Sequence, residues 1–430
     1  MRIIRLANFI TPRSGGLRTA LRELGTGYLA AGHEPVLIIP GDHDSDDQTG
    51  QGRVITLRGP RVPCTGGYRV LLRKRQLASL LAGLRPDVLE VSDRTTLRWT
   101  GGWARQHGIP AVMVSHESLA ALLSATPLLG GPRRRGGGPR RGGAALADAL
   151  NRRTARNYDQ VVCTTRWAAA EFARIGAQNV IRAPLGVDLE MFTPARRARE
   201  MGQELLLVHC GRLSAEKKPQ RSLNTLATLR ANGVPARLVI AGDGPLRARL
   251  ERRVAREGLP VTFAGFVSGT VPLAALLASA DIVLAPGPAE TFGLAALEAL
   301  ACGTPVVVSA ESALPEVTGE AGASVAGDDL AAGVLAVLSR PEEARRATAR
   351  ARAEQFGWPA AVAAFLAVHS AQAAQSAQAA QSAQAAQSAR AARAVRSAQA
   401  VQSARAVRSA RAVRSAQAVQ APQTAERTQA

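Results

Sequence analysis

An α/β protein built from two Rossmann-like β/α/β domains facing across a cleft, with a low-complexity C-terminal tail, is what this sequence predicts. Three observations carry the expectation. Short, mainly apolar runs alternate with helix-period segments in two successive blocks. Two successive β/α series of this kind fit parallel sheets covered by helices on both faces. Residues 371–430 then switch to an Ala/Gln/Ser/Arg repeat that cannot build a packed core.

In the first block the strand signals are 3–6, 36–39, 54–57, 88–91, 111–114 and 161–163. Helical patterns at 17–31, 70–84 and 144–157 separate them. The second block has strands at 205–210, 237–241, 261–264, 282–285 and 305–309, with helices near 219–232, 245–257, 271–279 and 292–301. The charged, Pro-containing segment 189–204 joins the blocks. The expected division is therefore a first β/α domain over 1–188, a second over 189–345, a C-terminal helical segment over 346–370, and a low-complexity tail over 371–430. Serine recurs every six residues in that tail, a step of roughly −120° around an α-helix, so no apolar stripe persists and a solvated, disordered or partly helical tail is expected. The Arg/Gly segment 130–143 is expected to be a flexible loop.

A formal charge of +21 suggests a nucleic-acid binder until it is located. Eight Arg and one Glu in 371–430 contribute +7, and five Arg between 133 and 141 contribute +5, leaving +9 for the rest. Basicity of this kind calls for anionic partners in general. Few aromatics and no recognition motif count against specific nucleic-acid binding. Cys64, Cys163, Cys210 and Cys302 lie far apart without metal-ligand spacing, so small core residues in a reducing compartment are expected, with no metal site. The first ten residues read as a strand rather than a signal peptide, and no run of 18 apolar residues exists.

In parallel sheets ligands collect beyond the carboxyl ends of strands, and the candidate residues all lie there. Glu290 closes one strand region, and Phe292-Gly293-Leu294 opens a helix whose free N–H groups attract anions. Glu298 follows two turns later. Gly211-Arg212-Leu213-Ser214-Ala215-Glu216-Lys217-Lys218 places a guanidinium and an ammonium at a strand end, a diphosphate clamp or a solvated basic loop. Gly15-Gly16 opens the first helix without dinucleotide or P-loop spacing. His116 ends a strand in polar surroundings and suits contact with a sugar hydroxyl. Gly242-Asp243-Gly244-Pro245 is a strand-end turn, and the stretch around Val267 can offer backbone groups to a base. The basic amphipathic pattern 70–84 reads as a core-facing helix or as one lying on anionic lipid. The other five histidines, His33, His43, His107, His209 and His369, lack such context and read as incidental.

Together, Gly15-Gly16, His116, Gly211-Arg212 with Glu216-Lys217, Gly242-Asp243-Gly244-Pro245 and Glu290 followed by Glu298 resemble the retaining glycosyltransferases of family four, fold type GT-B. The resemblance spans roughly residues 1–370 and implies an acceptor-binding domain over 1–188, a nucleotide-sugar-binding domain over 189–345 and a helix over 346–370 that crosses back to the first. Longer phrases around Ser14–Ala20, Thr65–Arg69, Glu90–Arg94 and Ala285–Pro288 are similar to actinobacterial members that act on phosphatidylinositol mannosides. It implies Arg212 and Lys217 on the diphosphate near Gly16, Glu290 on donor-sugar hydroxyls, Glu298 on the ribose and His116 at the reacting centre. Gly15, Gly242, Val267, Phe292, Gly293 and Leu294 would complete the donor site, and Tyr68, Asp93, Arg94 and His116 would meet the acceptor. GDP-mannose as donor, no obligatory cofactor, and a lipid-linked acceptor at the inner face of the membrane are the implied partners. One departure is visible: Lys218 stands where the family usually has glycine.

Overall fold

The computed structural model describes residues 1–10, 15–62, 67–116, 118–119, 141–198 and 204–419. Cys64 and residues 130–140 of the Arg/Gly segment lie outside them, while 141–143 open a helix.

The first lobe runs β1 (Arg2–Leu6), α1 (Gly16–Ala30), β2 (Glu34–Gly41), β3 (Ser45–Thr49), β4 (Gly52–Arg58), α2 (Lys74–Leu84) and β5 (Val88–Val91). It continues through α3 (Trp99–Gln106), β6 (Ala111–Ser115), α4 (Arg141–Asn157), β7 (Gln160–Cys163), α5 (Arg166–Ala173) and β8 (Val180–Arg182). These strands form one sheet ordered β3-β4-β2-β1-β5-β6-β7-β8, parallel except for the antiparallel edge strand β3.

The second lobe runs β9 (Leu205–Cys210), α6 (Pro219–Ala231), β10 (Ala236–Ala241), α7 (Arg247–Glu257), β11 (Val261–Gly265), α8 (Thr270–Ser279) and β12 (Ile282–Ala285). Then come α9 (Leu294–Ala301), β13 (Val306–Ser309), α10 (Leu314–Thr318), β14 (Gly322–Val325), α11 (Ala331–Leu338) and α12 (Glu342–Ala353). Its sheet is parallel, ordered β11-β10-β9-β12-β13-β14. Ile3, Val88, Val112, Val208, Val283 and Val306 are wholly or almost wholly buried, as strands covered on both faces must be.

In each sheet the chain reverses direction of growth beside its first strand: β1 lies between β2 and β5, and β9 between β10 and β12. Crevices form at such switch points, outside the carboxyl ends. The core is continuous through the lobes, since Leu24 and Val114 belong to the same buried cluster as Val208 and Leu297.

α13 (Trp358–Val419) returns to the first lobe at its start. A Cβ on Gly27 would stand 2.3 Å from Val362 Cγ2, and one on Gly186 2.6 Å from Trp358 Cα, so only glycine permits these approaches. His369 Nε2 lies 3.0 Å from Glu90 Oε2 and 3.3 Å from Tyr28 Oη, and Arg5 Nε donates to Glu90 Oε1 at 2.9 Å, all in the interior. The lone-looking His369 is thus a docking residue. Burial works to raise the Glu90 carboxyl, but Arg5 and His369 outweigh it and hold the group far below the usual range.

Met1–Ala373 form one compact unit and Ala374 onward a second. Of the tail expected to be disordered or partly helical, residues 374–419 are α-helical. Alanine, glutamine and arginine are strong helix formers, and neither Gly nor Pro interrupts them before Pro422. Its side chains are nearly all exposed, so propensity rather than packing makes this helix.

Candidate active site

The loops after β9 and β12 meet because those strands are neighbours, with Leu284 paired to His209. Lys217, in a single 3₁₀ turn after β9, makes an ion pair with the Glu290 carboxylate after β12. Burial works to lower the Lys217 pKa, yet the charge and hydrogen bond of Glu290, with Glu216 behind, keep it raised. The ammonium is therefore charged at neutral pH. Gly287 lets the two loops close: a Cβ there would stand 3.1 Å from Lys217 Cα.

Gly293 caps α9 with φ 77°, and a Cβ on it would stand 2.2 Å from Leu314 Cδ2. Both the backbone angle and the space demand glycine. The Phe292 side chain is buried, packed edge-on at 6.1 Å against Phe356, so its contribution to the cleft is its backbone. Gly16 begins α1, and its Cβ position lies 3.8 Å from Leu294 Cδ1 at the first residue of α9. Two helix N-termini, one from each lobe, therefore converge. Each carries about half a positive charge and unpaired N–H donors.

Arg212 lies with its guanidinium 4.5 Å from the Tyr68 ring centroid, a cation–π contact between the lobes. Tyr68 also packs edge-on to Phe9 at 6.1 Å. Gly242 lies against the Arg212 loop so closely that a Cβ would meet Gly211 O at 1.9 Å, and Leu213 N donates to Asp243 O at 3.0 Å. Val267 sits just beyond β11, two strands from β9. Glu298, half-buried on α9, has its pKa pushed up to about 7 by burial, partly offset by Arg22 of the first lobe.

His116 follows β6, and its backbone carbonyl accepts a hydrogen bond from the Thr291 hydroxyl, next to Glu290. Burial pushes its imidazole down to about 4, with Glu90 pulling the other way, so it is neutral at pH 7. A second tie joins the lobes: Thr165 Oγ1 donates to Thr291 O at 3.0 Å. His116, Gly16, Tyr68, Arg212, Lys217, Glu290 and Leu294 are thus gathered at one cleft.

Asp93 and Arg94 are not presented to it. Asp93 is 2% exposed and accepts from Asn8 Nδ2 at 2.8 Å and from the backbone and hydroxyls of Thr95 and Thr96. Arg94 is 4% exposed, reaching Asn151 at 3.2 Å and Glu171 at 3.5 Å. Both were expected to meet an acceptor; a strand-end position says nothing of which way a side chain turns, and here Asp93 is held by Asn8 and the neighbouring Thr95 and Thr96, and Arg94 by Asn151 and Glu171.

Sequence reasoning also passed over His209. It is buried on β9, with Nδ1 2.9 Å from Ser222 Oγ, and burial with Lys217 nearby pushes it down to about 4. On α2, Leu77, Leu81 and Leu84 face the core, which fits the core-facing reading of that helix. Cys163 and Cys302 are buried free thiols, and burial pushes Cys163, Cys210 and Cys302 up to about 12. Among the described residues no group of three His, Cys, Asp or Glu is placed to hold a metal, and no helix is long and apolar enough to cross a membrane.

Two Rossmann-like lobes with Arg212, Lys217 and two helix N-termini between them fit the glycosyltransferase architecture the sequence resembles, and comparison with known proteins agrees. The Glycosyl transferase 4-like domain model matches residues 15–186 and the Glycosyl transferases group 1 model residues 194–354. The chain is 52% identical over 383 residues to the GDP-mannose-dependent alpha-(1-6)-phosphatidylinositol dimannoside mannosyltransferase of Mycobacterium tuberculosis, covering 87% of this chain and 97% of that one. A glycogen synthase of the same species is 31% identical, covering 83% of this chain and 91% of that protein. Among solved structures, sucrose-phosphate synthase from Thermosynechococcus elongatus superposes with a TM-score of 0.69 at 22% identity over 87% of this chain and 99% of that one, a likeness of fold. The chain belongs to the family-four glycosyltransferases of the GT-B fold.

Proposed function

We propose that the chain transfers mannose from GDP-mannose to a phosphatidylinositol mannoside, with retention at the anomeric carbon. The observation that carries the chemistry is the meeting of the α1 and α9 N-termini beside Lys217 and Glu290. Two full positive charges from Arg212 and Lys217, with about half a charge from each helix, offset a departing diphosphate. A diphosphate competing for Lys217 releases Glu290 to accept hydrogen bonds from mannose hydroxyls. Glu298 would accept from the ribose, and His116, being neutral, can donate to or accept from a sugar hydroxyl.

Retention follows from attack by the acceptor hydroxyl on the face the phosphate leaves. The anomeric C–O bond to the phosphate breaks, the new glycosidic bond forms, and the departing phosphate oxygen takes the acceptor's proton. No side chain then needs to act as a base. The donor and acceptor are supported by the M. tuberculosis relative; the glycogen synthase shows that the same lobes accommodate other substrates. The reading also places the chain at the inner membrane face.

The test is turnover with GDP-mannose, UDP-glucose and ADP-glucose against phosphatidylinositol dimannoside, with product analysed by mass and linkage. GDP-mannose alone is expected to yield an α-linked trimannoside. Preferential use of another donor, or a β-linked product, overturns it.

A further inference from the structure

From residue 372 onward, every third residue is Gln or Arg as far as Gln420. A three-residue step turns roughly 300° on an α-helix, so this row winds slowly around the helix. An unbroken arginine row would present charge on all sides. The sequence instead carries Arg390, Arg393 and Arg396, then Gln399 and Gln402, then Arg405, Arg408, Arg411 and Arg414, then Gln417. The 18 residues from Arg390 to Arg408 make about five full turns, which returns the second arginine group to the angle of the first. All seven arginines thus fall within about half the circumference, and Gln399, Gln402 and Gln417 take the positions where the row passes the far side.

This cationic face is about 36 Å long at 1.5 Å per residue. Its arginines are exposed, and no acidic residue accompanies them between 374 and 419. Val395, Val401, Val407 and Val413 are 54–61% exposed but recur every six residues, so they scatter around the helix and form no apolar stripe. A half-cylinder of charge without an apolar ridge fits a flat polyanionic surface on which it lies, without insertion. Between 374 and 419 there is no aromatic residue on which a base could stack.

We propose that the one-sided arginine face of helix 390–419 is a docking surface for an anionic lipid bilayer. The choice of a bilayer over another polyanion rests on the lipid-borne acceptor proposed above. Arginine near an anionic leaflet strengthens adsorption by roughly fivefold per residue at low salt, less when several share the surface.

The test uses the full chain without donor, in flotation with phosphatidylcholine vesicles and with vesicles containing added phosphatidylinositol. Two variants accompany it, with helix content checked by circular dichroism. One replaces all seven arginines by glutamine. The other, R393Q/Q399R/R411Q/Q417R, keeps composition and net charge but spreads the arginines around the helix. The native chain is expected to prefer anionic vesicles by at least about tenfold, with the preference collapsing in high salt. The seven-glutamine variant should lose it, and the rearranged variant should fall by about threefold or more.

Equal binding to neutral vesicles, an undiminished rearranged variant, or tighter binding of duplex DNA or RNA than of anionic vesicles at the same salt overturns the proposal. Turnover of detergent-dispersed acceptor is measured in parallel. If the native chain fails that assay yet keeps its vesicle preference, the catalytic reading falls and the docking face stands.

Discussion

Replacing Gly293 by alanine tests the site where its construction is tightest. The residue has φ 77°, which costs an L-residue roughly 1–2 kcal/mol. The added Cβ would stand 2.2 Å from Leu314 Cδ2, and Leu314 is 1% exposed, so relief requires moving a packed side chain at roughly 1–3 kcal/mol. Gly293→Ala should therefore destabilise the protein by about 2–5 kcal/mol in urea unfolding. It should also weaken GDP binding, because the first amides of α9 shift with it. Leu314→Ala alone should cost about 2–5 kcal/mol through its cavity. In the double variant the overlap disappears, so the combined cost should fall short of the sum by about 1–3 kcal/mol. Strict additivity, or a Gly293→Ala protein as stable as the native one, would refute the reasoning.

Other outcomes follow from the same geometry. Arg212→Ala and Glu290→Ala should each leave a folded protein with donor turnover lowered by at least about 10-fold, since a charge-assisted hydrogen bond contributes on the order of 1.5–3 kcal/mol; native kcat/KM in either would remove that residue from the site. Lys218 has φ 49°, so Lys218→Gly should raise unfolding stability by about 1 kcal/mol, and a loss of stability would contradict the strain. Glu298 has a folded pKa of about 7, above the ordinary 4.5, so its protonated form is favoured on folding and stability falls as pH rises from 4.5 through 7. The ionised group is the better acceptor for ribose hydroxyls, so GDP affinity should rise between pH 6 and 8, and Glu298→Gln should flatten that rise. His116, near 4, does not titrate in this window.

Much of this was legible before the structure because parallel strands covered on both faces leave a plain signature. Strand β12 is apolar throughout and β9 is broken only by His209, and the polar residues that follow them, Arg212, Lys217 and Glu290, could only lie beyond the carboxyl edge. What escaped has particular causes. Ser45–Thr49 is a polar edge strand whose side chains face water, so it reads as a loop. The short β8 and β14, at the far edges of their sheets, lack the burial that makes a strand visible. His369 and Glu90 are 279 residues apart, and no local pattern announces such a pair. Asp93 and Arg94 occupy the same kind of position as Arg212, and the distant Asn8, Asn151 and Glu171, with Thr95 and Thr96 close by in sequence, hold them in the interior. Lys218 shows the reverse case: its departure from the family's glycine was visible as sequence, and the left-handed backbone explains why glycine is usual there.

The central claim is that a nucleoside diphosphate is neutralised where the first turns of α1 and α9 meet. A crystal structure of the GDP complex tests it most directly. Phosphate oxygens are expected within hydrogen-bond reach of the backbone amides at Gly16 and Leu294 and of the Arg212 and Lys217 side chains, with Glu298 on the ribose. GDP bound with its phosphates away from both helix starts would contradict it.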